Sequence, residues 1–257
     1  MLPSTMPIPH TPADLDDGGV RHRIGLILLS TDIATERDFR RMLPDTVGFH
    51  TARVPLVNPI TPDNLRRMGP WLGQAAATIA EGQRLDVVAY SCPSATVTLG
   101  YDAVAARIHE GRPGVAVVTP ISAALDAFQA LDIRRISLLT PYQDAVTRPM
   151  AEYIQARGCE VASVASFRMA DDITMARLSP RAIRAAGERF CDPGADALFI
   201  ACTAMRATET VAALEDALGK PVFTSIQCLA WGALRASGFQ GQVARHGRLF
   251  RAGAVLS

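Results

Sequence analysis

Two cysteines occupy matched positions about 110 residues apart in the chain. Cys92 follows the apolar run 86–91, Cys202 follows the apolar run 196–201, and each run predicts a buried strand. The residues after each cysteine predict a helix start, where backbone amides and the helix dipole favour a thiolate. A thiolate is a nucleophile or a base, so the pair predicts a site with one sulfur on each face of a substrate. Such a site suits a racemase or isomerase that needs no cofactor.

Apolar runs and helical patterns alternate along the whole chain. The runs predict strands at 24–29, 48–56, 86–91, 115–118, 136–140, 160–166, 196–201 and 222–224. The helical patterns cover 62–82, 94–110, 121–131, 143–157, 179–191, 205–218 and 226–236. Continuous apolar strands that alternate with helices predict an α/β fold, with parallel sheets covered on both faces.

The two halves of this pattern repeat. Strand 24–29 corresponds to 136–140, and residues 117–121 correspond to 222–226. The sequence therefore predicts two pseudo-symmetric parallel-sheet lobes with the site in the cleft between them, because ligands bind beyond the carboxyl ends of parallel strands. The expected organisation is a disordered tail over 1–21, a first lobe over 22–120, with residues 225–257 as an optional completion of it, and a second lobe over 121–224.

Composition and charge exclude several classes of function. Hydrophobic residues make up 49% of the chain, the net charge is +1, and no basic block occurs, so we expect a packed core and no nucleic-acid partner. The longest apolar stretches have strand length, which argues against a membrane partner. The amino terminus lacks a basic-then-apolar signal pattern, so a cytoplasmic location is the default expectation.

The cysteines and histidines show no metal-ligand spacing. The chain has five cysteines and no CxxC pair, which predicts reduced thiols, with Cys159, Cys191 and Cys228 as small core residues. The five histidines are scattered without HExxH spacing, and no glycine-rich phosphate loop follows a strand. We therefore expect no metal, nucleotide or flavin cofactor.

Three segments resemble a known group of proteins. Residues 25–36, 140–142 and 202–205 are similar to the first strand and loop, the second-half loop and the second cysteine motif of the aspartate/glutamate racemase superfamily. Within it, the chain resembles the branch of maleate cis-trans isomerase and arylmalonate decarboxylase over roughly residues 22–238. Residues 30–39 look most like racemase-like proteins of ectoine utilisation. The resemblance implies an Asp/Glu racemase-like fold, catalytic Cys92 and Cys202, and a homodimer.

Polar residues at the predicted strand ends are the candidates for substrate binding. Serine and threonine there also cap helices, so capping is the alternative role for Ser94 and Thr203. The resemblance implies that Tyr142 donates to a substrate carboxylate. We interpret Asp171-Asp172 as a solvated turn and leave Arg206 open between an anion contact and a surface role. The full candidate set is Thr31, Asp32, Pro93, Ser94, Thr119, Tyr142, Thr203 and Ala204.

Asp32 distinguishes the substrates that the resemblance allows. Maleate isomerases usually carry asparagine at this position, whereas an ionised aspartate would repel a dicarboxylate and pair with an ammonium group. The alternative is that Asp32 caps a helix that begins near Ala34. We therefore expect a racemase or isomerase of a small carboxylate, an amino-acid derivative, with maleate-type cis-trans isomerisation as the alternative. A decarboxylase or a non-catalytic binding protein fits less well, since decarboxylases of this branch have only the second-half cysteine.

Overall fold

Two four-stranded parallel sheets form the centre of the protein. The computed structural model describes residues 5–6, 8–9, 11–16, 18–244 and 246–251. The sheets have the strand orders β2-β1-β3-β4 and β6-β5-β7-β8, with all neighbours parallel. The strands are β1 (His22–Leu29), β2 (Val47–Val54), β3 (Val87–Tyr90), β4 (Ala116–Val118), β5 (Arg135–Tyr142), β6 (Glu160–Met169), β7 (Ala197–Ile200) and β8 (Val222–Thr224). This confirms the predicted α/β fold with two parallel sheets.

Helices cover both faces of each sheet. In the first half they are α1 (Thr35–Met42), α2 (Pro62–Arg66), α3 (Leu72–Thr78), α4 (Pro93–Leu99) and α5 (Tyr101–Gly111). The others are α6 (Pro120–Ala130), α7 (Asp144–Gln155), α8 (Asp172–Ala176), α9 (Pro180–Phe190), α10 (Val211–Leu218), α11 (Ser225–Ala236) and α12 (Gly247–Arg251). In the described part of the chain, no helix is both long and apolar enough to cross a membrane.

The inner strands of the two sheets place the cysteines equivalently. In the first sheet Ile27 pairs with Tyr90, and in the second Leu139 pairs with Ile200. Both pairs stand at the carboxyl ends of buried strands, whose side chains are excluded from solvent on both faces. Cys92 and Cys202 each follow the last residue of such a strand by two positions. The repeat seen in the sequence is therefore a repeat of strand geometry.

Several predicted helices are interrupted. The pattern at 62–82 divides into α2, a 3-10 turn at Gly69–Trp71 and α3, because Pro70 has no amide hydrogen to continue the α-helical ladder. The pattern at 94–110 breaks at Gly100, whose φ of 88° ends α4 and begins α5. The pattern at 205–218 becomes α-helical at Val211. Two short helices, α8 and α12, were not predicted.

The chain returns to the first sheet after the second one is complete. Helix α11 packs against β3, β4, α1 and α6 as well as β8. This placement supports the idea that residues 225–257 complete the first lobe, although residues 252–257 lie outside the described residues. The predicted tail over 1–21 also falls partly outside them, at residues 1–4, 7, 10 and 17, and a 3-10 turn covers Pro12–Asp14. The division into lobes stays a prediction.

Close packing of α3 against α5 provides a test of the fold. A Cβ atom on Gly111 would lie 2.0 Å from the Gly73 carbonyl oxygen and 2.7 Å from the Ala77 nitrogen. We expect Gly111→Ala to lower the free energy of unfolding by about 1–3 kcal/mol, because backbone must move to admit the methyl group. Urea unfolding measures this. Gly69→Ala is the control, since the nearest atom to its Cβ is Leu99 Cδ2 at 3.4 Å. Equal midpoints for the two variants would contradict the packing argument.

Candidate active site

Cys92 immediately precedes the helix that follows β3. Its backbone is extended, it occupies the N-cap of α4, and its Sγ accepts the Ala95 amide hydrogen at 3.4 Å. Pro93 fills the first helical position, where its missing amide hydrogen costs nothing. Ser94 Oγ lies 3.5 Å from the same sulfur. The prediction of a cysteine at a helix start is therefore confirmed for Cys92, and the sulfur itself is the capping atom.

The surroundings of Cys202 differ from those of Cys92. No helix begins after Cys202, because residues 203–206 form bends before a 3-10 turn at Ala207–Thr210. Sγ nevertheless accepts the Ala204 amide hydrogen at 3.3 Å. The prediction of a helix start here is wrong. The hydroxyl of Thr203, which could have capped such a helix, instead donates to the Ser91 carbonyl of the other lobe at 2.9 Å.

Two residues link the thiols to one another. The Tyr142 hydroxyl, at the end of β5, lies near Cys202 and Ser94. The pKa of Tyr142 is raised well above its ordinary value, first by burial and then by the charges of Cys202 and Cys92. The charge of Asp172 also raises the pKa of both thiols. Because the same tyrosine and the same carboxyl group act on both sulfurs, Cys92 and Cys202 border one site.

Burial controls the ionisation of both thiols. Cys92 and Cys202 are each 2% exposed, and Tyr142 is 3% exposed. Burial raises the pKa of Cys92 to about 11, although hydrogen bonds from Ser94 and the Ala95 amide lower it. Burial raises the pKa of Cys202 to about 12, against smaller lowering effects that include the Tyr142 hydrogen bond. The amides therefore favour the thiolate, as expected, but in this closed arrangement the desolvation of the thiols outweighs them.

The side chain of Asp32 caps the start of α1. Its Oδ1 accepts the amide hydrogens of Ala34 and Thr35, both at 2.9 Å, and its Oδ2 accepts the Thr35 hydroxyl at 2.6 Å. Burial raises the pKa of this carboxyl group, and the Thr35 bonds oppose that rise. Since both oxygens already have partners, the structure supports the helix-capping alternative and removes the basis for pairing Asp32 with a substrate ammonium group.

Asp172 was interpreted as part of a solvated turn, and that interpretation is wrong. The residue is 4% exposed, its Oδ2 accepts the Thr31 hydroxyl at 2.5 Å, and its amide donates to Asn58 Oδ1 at 3.0 Å. Its neighbour Asp171 is a turn residue, and its Oδ1 caps α8 by accepting the Thr174 amide hydrogen. The sequence Asp171-Asp172 does not indicate that one of the two carboxyl groups is buried, because the residues that contact Asp172 lie in distant loops.

A series of hydrogen bonds next to the thiols links residues from the two halves of the sequence. Thr35 Oγ1 lies 2.9 Å from Ser91 Oγ, and the Ser91 carbonyl accepts the Thr203 hydroxyl. A further contact runs from the Ile60 amide to the Ala170 carbonyl at 2.7 Å. Tyr90, whose fully buried hydroxyl donates to Met68 Sδ at 3.7 Å and lies near Cys92, was also missed by sequence reasoning. Its place in an apolar strand indicated only core packing.

Other predicted residues have structural roles. Thr119 caps α6 in a capping box with Ser122, and Thr224 repeats that box with Gln227 at α11. Among the described residues, no hydrogen bond joins Thr119 to either thiol. Arg206 reaches the Leu178 carbonyl at 3.4 Å. Cys159 and Cys228 are buried and Cys191 is half-buried. In the described residues, no cluster of three or more His, Cys, Asp or Glu side chains could hold a metal ion.

Comparison with known proteins assigns the chain to a family. The family model described as arylmalonate decarboxylase matches residues 99–250, which is more than half of the chain. The chain belongs to the arylmalonate decarboxylase family. A family relative, the arylmalonate decarboxylase of Bordetella bronchiseptica, is 30% identical over 147 residues, covering 53% of this chain and 58% of the relative.

Maleate isomerases match over a greater length. The enzyme of Alcaligenes faecalis is 25% identical over 244 residues, covering 89% of this chain and 96% of the relative. A solved structure of Nocardia farcinica maleate cis-trans isomerase, a cysteine-to-serine mutant with a covalently bound succinylcysteine intermediate, superposes with a TM-score of 0.82. It is 23% identical and covers 91% of this chain and 99% of that chain. This likeness confirms that the arylmalonate decarboxylase family fold extends over nearly the whole protein.

Thiol reactivity tests the burial argument. In the ligand-free protein we expect iodoacetamide to modify the half-buried Cys191 before Cys92 or Cys202 at pH 7.5, which reverses the order expected from the sequence. Labelling of Cys92 should then rise about tenfold per pH unit from 7.5 to 10, because the thiolate fraction grows until the pKa of about 11. Peptide mass spectrometry follows each site. Faster labelling of Cys92 than of Cys191 at pH 7.5 would show that the cleft is open in solution.

The capping role of Asp32 gives a second prediction. Asp32→Ala should lower the free energy of unfolding by about 1–2 kcal/mol, because α1 loses the acceptor for its first amides. Asp32→Asn, which keeps one acceptor oxygen, should lose less. Thermal unfolding of the two variants compares them. A stability that is the same for wild type and Asp32→Ala would reject the capping role.

Proposed function

We propose that this protein is a cofactor-independent cis-trans isomerase of the maleate type, acting on a small unsaturated carboxylate. The observation that carries the proposal is the pair of buried thiols that share Tyr142 and Asp172 as neighbours. The maleate isomerases matched over most of the chain support the reaction class. The covalent succinylcysteine in a structurally similar enzyme supports a reaction through a sulfur–carbon bond.

Cys92 is the better candidate for the attacking sulfur. Two donors surround its sulfur, namely the Ala95 amide and the Ser94 hydroxyl, and the residue caps α4, whose amides and dipole favour a thiolate. Donors of this kind stabilise a thiolate once it forms. Cys202 faces the same site with the Tyr142 hydroxyl and the Ala204 amide as partners. It is suited to contact the opposite face of the substrate while it remains a thiol.

The reaction needs no net proton or electron transfer. The Cys92 proton passes to a carboxylate oxygen of the bound substrate and returns to the sulfur at the end of the reaction. The Cys92 thiolate adds to one alkene carbon, the sulfur–carbon bond forms, and the π electron pair moves into the adjacent carboxylate as an enediolate. The former double bond is then single and rotates. The electron pair returns, the double bond forms in the trans geometry, and the sulfur leaves as a thiolate. Hydroxyl donors beside the thiols, such as those of Tyr142 and Ser94, would stabilise the developing charge.

The amino-acid racemase expected from the sequence has lost its main support. That expectation rested on Asp32 as a partner for an ammonium group, and both oxygens of Asp32 cap α1 instead. A ligand-binding role without chemistry would not require two thiols at one site. The small-carboxylate substrate, the homodimer and the cytoplasmic location, as well as the substrate contacts of Thr31, Pro93, Ser94, Tyr142, Thr203 and Ala204, stay proposals.

Proton NMR tests the reaction directly. We expect the wild type to convert maleate or its half-amide to the trans isomer, seen as a change of the vinyl signal without incorporation of deuterium at an α-carbon. Cys92→Ser should lower the rate at least about a thousandfold, because an alcohol at this site is a far weaker nucleophile than a thiol. Cys191→Ser is the matched control, since it removes a thiol outside the site.

Three results would contradict the proposal or its assignment of Cys92. Exchange at the α-carbon of an amino acid, with no change in any cis-alkene, would establish racemase chemistry. Release of carbon dioxide from a malonate derivative would establish a decarboxylase. Full isomerase activity in Cys92→Ser would assign the attack to another residue.

A further inference from the structure

Asp172 brings a carboxyl group into a site that is proposed to bind carboxylates. It is buried and bonded to Thr31, which follows β1 at the same sheet edge where Cys92 follows β3, so it lies at the strand ends that carry the site. Its charge also raises the pKa of both thiols. Oδ2 is held by the Thr31 hydroxyl, and the Asp172 amide is held by Asn58. Among the described residues, Oδ1 has no hydrogen-bond donor. One oxygen of a fixed, buried carboxyl group is therefore left for a ligand.

The other nearby carboxyl group cannot take this role. Both oxygens of Asp32 are occupied by the first turn of α1 and by Thr35. Asp32 instead acts on Asp172, since its charge is one of the influences that raise the pKa of Asp172, after burial. Of Asp32 and Asp172, Asp172 is thus the one with an oxygen that can accept a hydrogen bond from a ligand.

We propose that Asp172 selects a substrate that carries one carboxylate and one nitrogen donor, such as the half-amide of a cis-enedioate, over the dicarboxylate. This inference rests on the proposed function and specifies the substrate of the same site. Two like charges at contact distance in a site shielded from water repel strongly, so a dianion would be disfavoured beside Asp172. An amide N–H would satisfy Oδ1 through a charge-assisted hydrogen bond.

The two ends of such a substrate would meet different groups. The hydroxyls of Tyr142 and Ser94 lie beside the thiols and can donate to the single carboxylate. The amide end would face Asp172, whose position is fixed from the first lobe by Thr31 and Asn58. A substrate aligned in this way places its double bond between the two sulfurs.

The test compares maleate with its half-amide, maleamate, in the wild type and in Asp172→Asn. We expect the wild type to prefer the half-amide by at least about tenfold in kcat/KM, and Asp172→Asn to shift the ratio toward maleate by at least that factor. Asp171→Asn is the matched control, because it removes the same charge one residue away and asparagine still caps α8. Its ratio should equal that of the wild type.

Binding separates this inference from the proposed reaction. Calorimetry in the Cys92→Ser background measures the affinity for both compounds without turnover. Preference for the half-amide that disappears when Asp172→Asn is added supports the inference, even where no isomerisation occurs. Equal loss for both compounds would give Asp172 a merely structural role and overturn it. Preference of the wild type for maleate would also overturn it, since a protonated Asp172 would then be donating to the second carboxylate.

Discussion

Exclusion of water from two thiols is the constraint on which the rest of the site depends. A buried thiol keeps its proton because the protein interior solvates the thiolate poorly, and here the pKa values rise to about 11 and about 12. Every polar group around the sulfurs offsets part of that cost. The Ala95 and Ala204 amides and the hydroxyls of Ser94 and Tyr142 point donors at the sulfurs. The same dry surroundings strengthen any interaction with charge that develops on a substrate.

The internal repeat provides two equivalent strand ends but not two equivalent sites. Cys92 caps a helix, so its sulfur faces the positive end of a helix dipole as well as an amide. Cys202 is followed by bends, and its sulfur relies on local amides and on Tyr142 from the neighbouring strand. This difference is consistent with separate roles for two residues that the sequence presents as copies. A nucleophile benefits from the stronger donors, and its partner can remain a thiol.

Hydrogen bonds between the two halves of the sequence lie on both sides of the site. On one side Thr203 binds the Ser91 carbonyl, and on the other Thr31 and Asn58 bind Asp172. These contacts come from loops at the carboxyl ends of the strands, where parallel sheets place ligand sites. Each is a single hydrogen bond, with a net contribution of about 1 kcal/mol to stability. The site is thus bounded by contacts between segments that lie far apart in the chain.

The sequence by itself determined the elements and the cysteine pair. Apolar runs of strand length that alternate with helices, such as 24–29 and 196–201, form buried parallel strands. The repeat placed Cys92 and Cys202 at equivalent strand ends. Local chemistry also predicted the caps at Thr119 and Asp32 as alternatives to binding, because a cap needs only residues a few positions away.

Only the tertiary structure decided what lies opposite the thiols. Asp172 and Asn58 are 114 positions apart, and Thr203 and Ser91 are 112 positions apart, so no local pattern could pair them. Burial of the thiols, which raises their pKa values, likewise depends on residues from distant parts of the chain. Periodicity and capping are set by neighbours along the chain, whereas solvation and selectivity depend on groups that folding brings together.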